Sequence, residues 1–154
     1  MERSTILAGF GGQGLLFAGK VLAEAALLDR QETLWIPSYG PEMRGGTASC
    51  TVIIAPGPIG SPVVDRADHA VVLNPPSLAK YGSVVAAGGL LVVNESLIEA
   101  EAGRDDVEVV RVPCTALAKQ AGDHKLPSGV APRAPLPPWP RIGAAAPPRR
   151  PTSR

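Results

Sequence analysis

The strongest constraint on the fold is a series of short apolar runs that alternate with segments of helical periodicity. Strands are predicted for the apolar runs at residues 4–9, 33–37, 47–55, 69–74, 89–94 and 107–112. Helices are predicted at residues 12–29, 75–85 and 114–122. Continuous apolar strands alternating with helices are typical of a largely parallel sheet that is covered on both faces. The pattern therefore predicts an α/β fold with three layers, α/β/α, around a mostly parallel central sheet, with a mixed sheet as the alternative.

The composition of the chain changes near residue 124. Residues 1–124 carry 9 basic and 14 acidic side chains, whereas residues 125–154 carry 6 basic and no acidic ones. Nine of the 17 prolines also lie in this last part, where they remove backbone donors and block helices and central strands. We therefore divide the chain into an α/β domain, residues 1–123, and a Pro/Arg-rich segment, residues 124–154, that is predicted to be disordered. A proline-rich ligand for an aromatic groove and a nucleic-acid tail are weaker interpretations of the same segment.

The sequence predicts a cytoplasmic protein without a membrane or nucleic-acid partner. The apolar stretch at the start is too short for the hydrophobic region of a signal peptide, and no apolar run approaches the roughly 20 residues of a membrane helix. Cys50 and Cys114 stand far apart and form no C-x-x-C pair. We expect two buried free thiols, and no ligands of zinc or of an iron–sulfur cluster.

A first glycine-rich stretch, GFGGQG at residues 9–14, follows a predicted strand and opens a predicted helix. Gly9, Gly11 and Gly14 fit G-x-G-x-x-G, in which glycines let the backbone turn sharply and approach a phosphate at the helix N-terminus. A dinucleotide site also needs an acidic residue at the tip of the second strand, and Glu32 precedes that strand instead. We interpret these glycines, with Gly12, as the edge of an anion or cofactor site. A tight turn without a ligand is the alternative.

A second stretch, PSYGPEMRGGTASC at residues 37–50, joins the second and third predicted strands. If the second strand runs parallel to the first, this loop leaves the carboxyl edge of the sheet beside residues 9–14. Arg44 can donate two parallel hydrogen bonds to a carboxylate or phosphate, or it can form a local ion pair with Glu42. No nucleophile, histidine or carboxylate pair accompanies it, so no catalytic residue is predicted. The candidate site residues in this stretch are Tyr39, Gly40, Glu42, Arg44, Gly45, Gly46 and Thr47.

Five stretches in this order resemble the gamma subunit or gamma domain of the 2-oxoacid:ferredoxin oxidoreductases. They are GFGGQG, PSYGPEMRGGTASC, PIGSPVV, LNPPSLAKY and GGLLVVNESLI, and the resemblance covers about residues 3–122. It implies an α/β subunit of a complex that oxidatively decarboxylates a 2-oxoacid, passes electrons to ferredoxin and usually makes an acyl-CoA. The 2-oxoacids of this family are pyruvate, 2-oxoglutarate, branched-chain 2-oxoacids and indolepyruvate.

The same resemblance implies the partners and cofactors. The partners would be alpha and beta subunits, which bind thiamine, and a ferredoxin-like subunit. Thiamine diphosphate, iron–sulfur clusters and coenzyme A are expected in the complex, none of them held by this chain alone, and the isolated chain is expected to be inactive. An independent nucleotide-binding domain and a truncated, non-catalytic scaffold are the alternative functions.

The C-terminal part departs from the family pattern. Family members continue after the region of residues 114–122 with a further apolar helical segment, where this chain turns to Pro- and Arg-rich sequence. The C-terminal part is therefore expected to be truncated or altered, as after a change of reading frame.

Overall fold

The computed structural model describes residues 1–39 and 46–120, and expectations for the other residues lie outside this part of the chain. The described strands are β1 (Arg3–Phe10), β2 (Glu32–Tyr39), β3 (Thr47–Ala55), β4 (Ala67–Val72), β5 (Val85–Asn94) and β6 (Glu108–Val112). The described α-helices are α1 (Leu15–Leu28), α2 (Pro75–Tyr81) and α3 (Cys114–Gln120), and a short 3-10 helix, Gly82–Val84, links α2 to β5. All the predicted strands and helices are present, although several of their ends differ.

The six described strands form one mixed sheet in the order β2-β3-β1-β4-β5-β6. The pairs β1/β4, β4/β5 and β5/β6 are parallel, whereas β3 is antiparallel to both of its neighbours, β1 and β2. Two reversals restore the original direction, so β2 runs the same way as β1. Their carboxyl ends therefore lie at the same edge of the sheet, which is the condition for the two glycine-rich stretches to meet.

Each face of the sheet carries its own apolar cluster, which confirms the three-layer α/β/α fold. Strand side chains such as Leu7, Val52 and Val92 pack against α1 and α3 on one face. The alternate side chains, among them Ile6, Val72 and Leu91, pack on the other face against Leu78 of α2 and against Ile98. Because β1, β4 and β5 are buried on both faces, their sequences read as continuous apolar runs.

Helix α1 packs very closely on the sheet at Gly19. A Cβ atom added there would lie 2.5 Å from the sulfur of Cys50 and 3.0 Å from Nε1 of Trp35. Both of these side chains come from the strands beneath, β3 and β2. A glycine at this position therefore lets the helix approach β2 and β3.

Some predicted ends were wrong because glycine and asparagine residues break the elements, and one because the pairing register is irregular. Helix α1 begins at Leu15 and not at Gly12, since Gly12 and Gly14 have positive φ angles of 94° and 76°. Strand β4 ends at Val72, before Asn74, which caps α2 through a hydrogen bond that its side chain accepts from the Ser77 amide at 2.8 Å. Strand β5 begins at Val85 and not at Gly89, because Val85 already pairs with Ala67 of β4. The pairing register shifts between this pair and the next one, His69 with Leu90.

A buried asparagine joins the carboxyl ends of the central strands. Asn94, at the end of β5, is fully buried. Its Nδ2 donates to the carbonyl oxygen of Leu73 at 3.1 Å and to the Thr115 hydroxyl at 2.9 Å. One side chain thus ties the end of β5 to the segment after β4 and to the first turn of α3.

Candidate functional site

The first glycine-rich stretch forms a tight turn between β1 and α1. The Phe10 amide donates to Oε1 of Gln13 at 2.7 Å, and the Gln13 amide donates back to the Phe10 carbonyl oxygen at 3.3 Å. Gly12 and Gly14 supply the positive φ angles that this path requires. The Gln13 side chain therefore stabilises the turn by accepting a hydrogen bond from the backbone at the start of that turn.

The glycines of this turn have different physical roles. At Gly9 a Cβ atom would lie 2.4 Å from Oε1 of Gln13 and 3.0 Å from Cβ of Leu73, so close packing requires this glycine. At Gly12 nothing lies within 4 Å of an added Cβ atom, and the residue is exposed. Gly12 is thus needed for its backbone conformation and leaves open space beside the turn.

The N-terminus of α1 faces this turn without a side-chain cap. Its cap residue, Gly14, has a left-handed conformation, and the first helical hydrogen bond runs from the Ala18 amide to the Gly14 carbonyl oxygen at 2.9 Å. The amides of the residues between them, Leu15 to Phe17, have no acceptor inside the helix, because they belong to its first turn. These amides and the positive end of the helix dipole favour an anionic group.

The second glycine-rich stretch meets the first at the start of β3. The Gly11 amide donates to the Gly46 carbonyl oxygen at 3.0 Å, and Phe10 pairs with Thr47 in the sheet. The two stretches therefore meet at Gly11 and Gly46 and at Phe10 and Thr47. A site role for Gly9, Gly11, Gly12, Gly14, Gly46 and Thr47 stays a prediction. Tyr39 is the last residue of β2, opposite Ala48. The candidates Gly40, Glu42, Arg44 and Gly45 lie outside the described residues.

This meeting point lies where the connections of the sheet diverge. From β1 the chain passes through α1, on one face, towards β2. From the neighbouring parallel strand β4 it passes through α2, on the opposite face, to β5. Connections that leave adjacent parallel strands in opposite directions create a crevice at their carboxyl ends, where open α/β sheets bind ligands.

Sequence reasoning missed the buried polar groups on the α2 side of this edge. Asn74 and Ser77 are almost fully buried, and Nδ2 of Asn74 and the Ser77 hydroxyl have no hydrogen-bond partner among the described residues. Nearby, the hydroxyl groups of Ser49 and Tyr81 form a hydrogen bond of 2.9 Å that joins β3 to α2. The available signal was the order Asn-Pro-Pro-Ser after an apolar run, which is typical of a capped helix start.

The described thiols and the described histidine are buried in the core. Cys50 and Cys114 are free and buried, as predicted, and burial raises the pKa of each thiol to about 11. His69 lies at the opposite end of β4, where burial lowers its pKa. Among residues 1–39 and 46–120, no group of three or more His, Cys, Asp or Glu side chains could hold a metal ion. No helix in the same part of the chain is long and apolar enough to cross a membrane.

Comparison with known proteins gives related sequences that are longer than this chain. Ketoisovalerate oxidoreductase subunit VorA of Methanothermobacter thermautotrophicus is 43% identical over 116 residues, which are 75% of this chain and 24% of that protein. The 2-oxoglutarate synthase subunit KorC of Methanocaldococcus jannaschii is 37% identical over 129 residues, 82% of this chain and 68% of that protein. The chain thus spans about a quarter of the length of VorA and about two thirds of that of KorC.

Solved structures share the fold. The gamma subunit of the keto/oxoacid ferredoxin oxidoreductase of Geobacter sulfurreducens matches with a TM-score of 0.74 and 29% identity, over 84% of this chain and 71% of that one. The 2-oxoglutarate:ferredoxin oxidoreductase of Magnetococcus marinus matches with a TM-score of 0.77 and 20% identity, over 84% of this chain and 23% of that one, and supports the fold alone. The family model described as pyruvate ferredoxin/flavodoxin oxidoreductase matches residues 4–133. By this match and by the relationship to KorC, the chain belongs to the pyruvate ferredoxin/flavodoxin oxidoreductase family.

Proposed function

We propose that this chain is the gamma subunit of a multi-subunit 2-oxoacid:ferredoxin oxidoreductase, which oxidatively decarboxylates a 2-oxoacid to an acyl-CoA and passes electrons to ferredoxin. The observation that carries the proposal is the joined pair of glycine-rich stretches, linked by the Gly11–Gly46 hydrogen bond in a chain of this family. The names of the related KorC and VorA subunits support 2-oxoglutarate or a branched-chain 2-oxoacid as the class of substrate.

In this proposal the chain supplies one wall of a site that is completed by other subunits. The open space at Gly12 and the uncapped start of α1 fit a phosphate-bearing group. Coenzyme A carries phosphates, and the Magnetococcus enzyme was solved with it bound. The amides after Gly14 would hold such phosphates, and the bound coenzyme would supply the thiol that accepts the acyl group. Glu42 and Arg44 are proposed, from sequence alone, to line the same edge.

Thiamine diphosphate and the iron–sulfur clusters are assigned to the partner subunits. The described residues offer no cluster of cysteines, and their two thiols are buried in the α1 face of the sheet. The proposed partners are alpha and beta subunits that bind thiamine and a ferredoxin-like subunit. A cytoplasmic location remains a prediction.

A self-contained dinucleotide-binding domain is the weaker alternative. A dinucleotide site of this type grips a ribose with an acidic residue at the tip of the second strand. Strand β2 ends with Ser38 and Tyr39, and its only acidic residue, Glu32, is the first residue of the strand, at the opposite edge of the sheet. Among the described residues, the glycine-rich turn therefore has no acidic partner for a ribose at the tip of β2.

Reconstitution tests the proposed function. The chain is purified alone and with the alpha, beta and ferredoxin-like subunits of the same organism, and 2-oxoacid-dependent reduction of methyl viologen is measured with coenzyme A present. We expect activity only from the assembled complex and none from the chain alone. Dye reduction by the isolated chain, or full activity of the other subunits without it, would contradict the proposal. Tight stoichiometric binding of NAD or NADP by the isolated chain would favour the alternative.

A further inference from the structure

The start of α2 contains two buried polar groups that take no part in its helix cap. Asn74 is 0% exposed and Ser77 is 2% exposed. Oδ1 of Asn74 accepts the capping hydrogen bond from the Ser77 amide at 2.8 Å. Nδ2 of Asn74 and the Ser77 hydroxyl, in contrast, have no hydrogen-bond partner among the described residues. Buried donors are nearly always paired in folded proteins, so an acceptor for these two groups is expected.

The cap alone does not explain why residue 74 is an asparagine. Aspartate and serine cap helices about as well as asparagine does, because a cap needs only one side-chain oxygen. What asparagine adds is Nδ2, which has two N–H donors and no charge. Asn74 therefore provides donors that the start of α2 does not use.

Asn74 lies beside the glycine-rich turn that precedes α1. When the parallel register of β1 with β4 is continued by two residues, it places Asn74 next to Phe10, where the turn begins. A Cβ atom added at Gly9 would lie 3.0 Å from Cβ of Leu73 and 3.1 Å from Cδ1 of Leu15. The residue before Asn74 and the first residue of α1 thus both pack on Gly9. The unpaired amides at the start of α1 and the unpaired groups of the α2 side therefore border the same crevice.

We infer that Asn74 and Ser77 donate hydrogen bonds to a phosphate oxygen of the ligand that binds at the start of α1, an inference that rests on the proposed function. The free amides of α1 and these two side chains all offer donors, and a phosphate group offers several acceptor oxygens. Because both side chains are buried, their hydrogen bonds to an anion would form in a medium of low dielectric constant, where they are strong. Asn74 and Ser77 would thus select a phosphate-bearing ligand such as coenzyme A.

Asn74→Asp tests the donor and keeps the cap. Aspartate retains the oxygen that accepts from the Ser77 amide, but it replaces Nδ2 by a second carboxylate oxygen, which repels a phosphate. In the reconstituted complex without 2-oxoacid, titration calorimetry should show a Kd for coenzyme A that is roughly ten- to a hundredfold higher. The KM for the 2-oxoacid at saturating coenzyme A and the thermal midpoint of the ligand-free complex should stay unchanged.

Two further variants separate the donor from effects on folding. Asn74→Ser keeps a capping oxygen and adds no charge, so it should also weaken coenzyme A binding, even if a buried carboxylate at residue 74 lowers the thermal midpoint. Ser49→Ala is the matched control. It removes a hydroxyl that already has a partner, Tyr81, at 2.9 Å, and it should leave the Kd for coenzyme A unchanged.

Inorganic pyrophosphate distinguishes the phosphates from the rest of the coenzyme. It should compete with coenzyme A in the wild-type complex and compete much less in Asn74→Asp and Asn74→Ser. Wild-type affinity for coenzyme A in both variants, or weaker coenzyme binding with unchanged competition by pyrophosphate, would overturn the inference and leave the proposed function standing. A wild-type complex that does not bind coenzyme A at all would overturn both.

Discussion

At the scale of single residues, the fold depends on a few positions where no other side chain fits. Gly19 lets α1 contact β2 and β3, and Gly9 lets the turn after β1 pack on Leu73. Gly12 differs, because space for a side chain is available there and only the backbone angle demands glycine. Substitutions at Gly9 and Gly19 therefore test the effect of packing on stability, whereas a substitution at Gly12 tests the effect of backbone conformation on the candidate site.

Gly19→Ala should destabilise the chain by about 1–2 kcal/mol. Alanine gains up to about 1 kcal/mol in helix propensity, but overpacking a buried contact typically costs 1–3 kcal/mol, and the new Cβ atom would lie 2.5 Å from the Cys50 sulfur. Chemical denaturation measures the change. In a Cys50→Ala background the sulfur is gone and the same substitution should cost much less. An equal cost in both backgrounds would exclude the Cys50 contact as the cause.

Gly12→Ala should impair the assembled enzyme more than it impairs folding. A positive φ angle strains any L side chain by roughly 1–2 kcal/mol, and a methyl group at Gly12 narrows the space beside the turn. We expect the apparent KM for coenzyme A in the reconstituted complex to rise about tenfold. Gly103→Ala is the control, because Gly103 has a φ angle of 63°, has nothing within 4 Å of an added Cβ atom and lies in another loop. An equal rise in KM for both variants would contradict a role of Gly12 in the site.

His69 should make the free energy of unfolding depend on pH on the acid side. Burial lowers its pKa below the ordinary value of 6.5, while neighbouring Asp68 opposes this shift and Arg3 adds to it. The neutral ring is therefore favoured in the folded chain. This contribution to stability is complete above about pH 6.5 and is lost as the pH falls through the lowered pKa.

Denaturation curves at pH 7.5 and pH 5.5 measure this effect. The stability difference between the two pH values should shrink in His69→Gln and stay as in the wild type in His124→Gln, which changes the other histidine of the chain. An unchanged difference in His69→Gln would show that other groups cause the acid dependence.

At the scale of helices and strands, the order of the elements could be predicted from apolar runs and helical spacing, but the direction of β3 could not. An apolar run such as TASCTVIIA buries its side chains equally well in either direction, and the two antiparallel pairings of β3 appear only in the sheet. The meeting of the glycine-rich stretches could be inferred conditionally, from the direction assumed for β2. The role of Asn94 could not, because its partners, such as Thr115, are distant in sequence. Asn74 differs, because its cap on α2 is local and the order Asn-Pro-Pro-Ser indicates it.

Asn94→Ala should lower the free energy of unfolding, because Asn94 connects the end of β5 both to the segment after β4 and to α3. It removes the donor to the Leu73 carbonyl oxygen and to Thr115, and a buried polar group left without a partner costs about 1–3 kcal/mol. Thermal and urea denaturation measure the loss. Ser96→Ala is the control, since Ser96 accepts only an exposed hydrogen bond from the Ala116 amide, and it should change stability by less than about 0.5 kcal/mol.

At the scale of the whole molecule, one sheet runs through both apolar clusters, so the described part of the chain should unfold as a unit. The two cysteines lie in the same cluster, Cys50 on β3 and Cys114 at the start of α3, and burial raises the pKa of each to about 11. The thiols should therefore be unreactive towards a disulfide reagent at pH 7.5 in the native state, and both should become reactive at one urea concentration. Two separated midpoints, one for each cysteine, would show that β3 and α3 unfold independently.

The central position of β1 in the sheet affects how the nascent chain folds during synthesis on the ribosome. Thr5 pairs with Val52 on one side and with His69, 64 residues later, on the other. The first strand to be made can therefore pair on one side once β3 has been synthesised, while its other side stays open until β4 follows. Folding is slow in such a topology, because the conformational entropy of the long loops is lost before the strand contacts form. The nascent chain thus carries an unpaired edge on β1 until β4 has been synthesised, and the pairing of β4 with β1 is the step at which folding competes with aggregation.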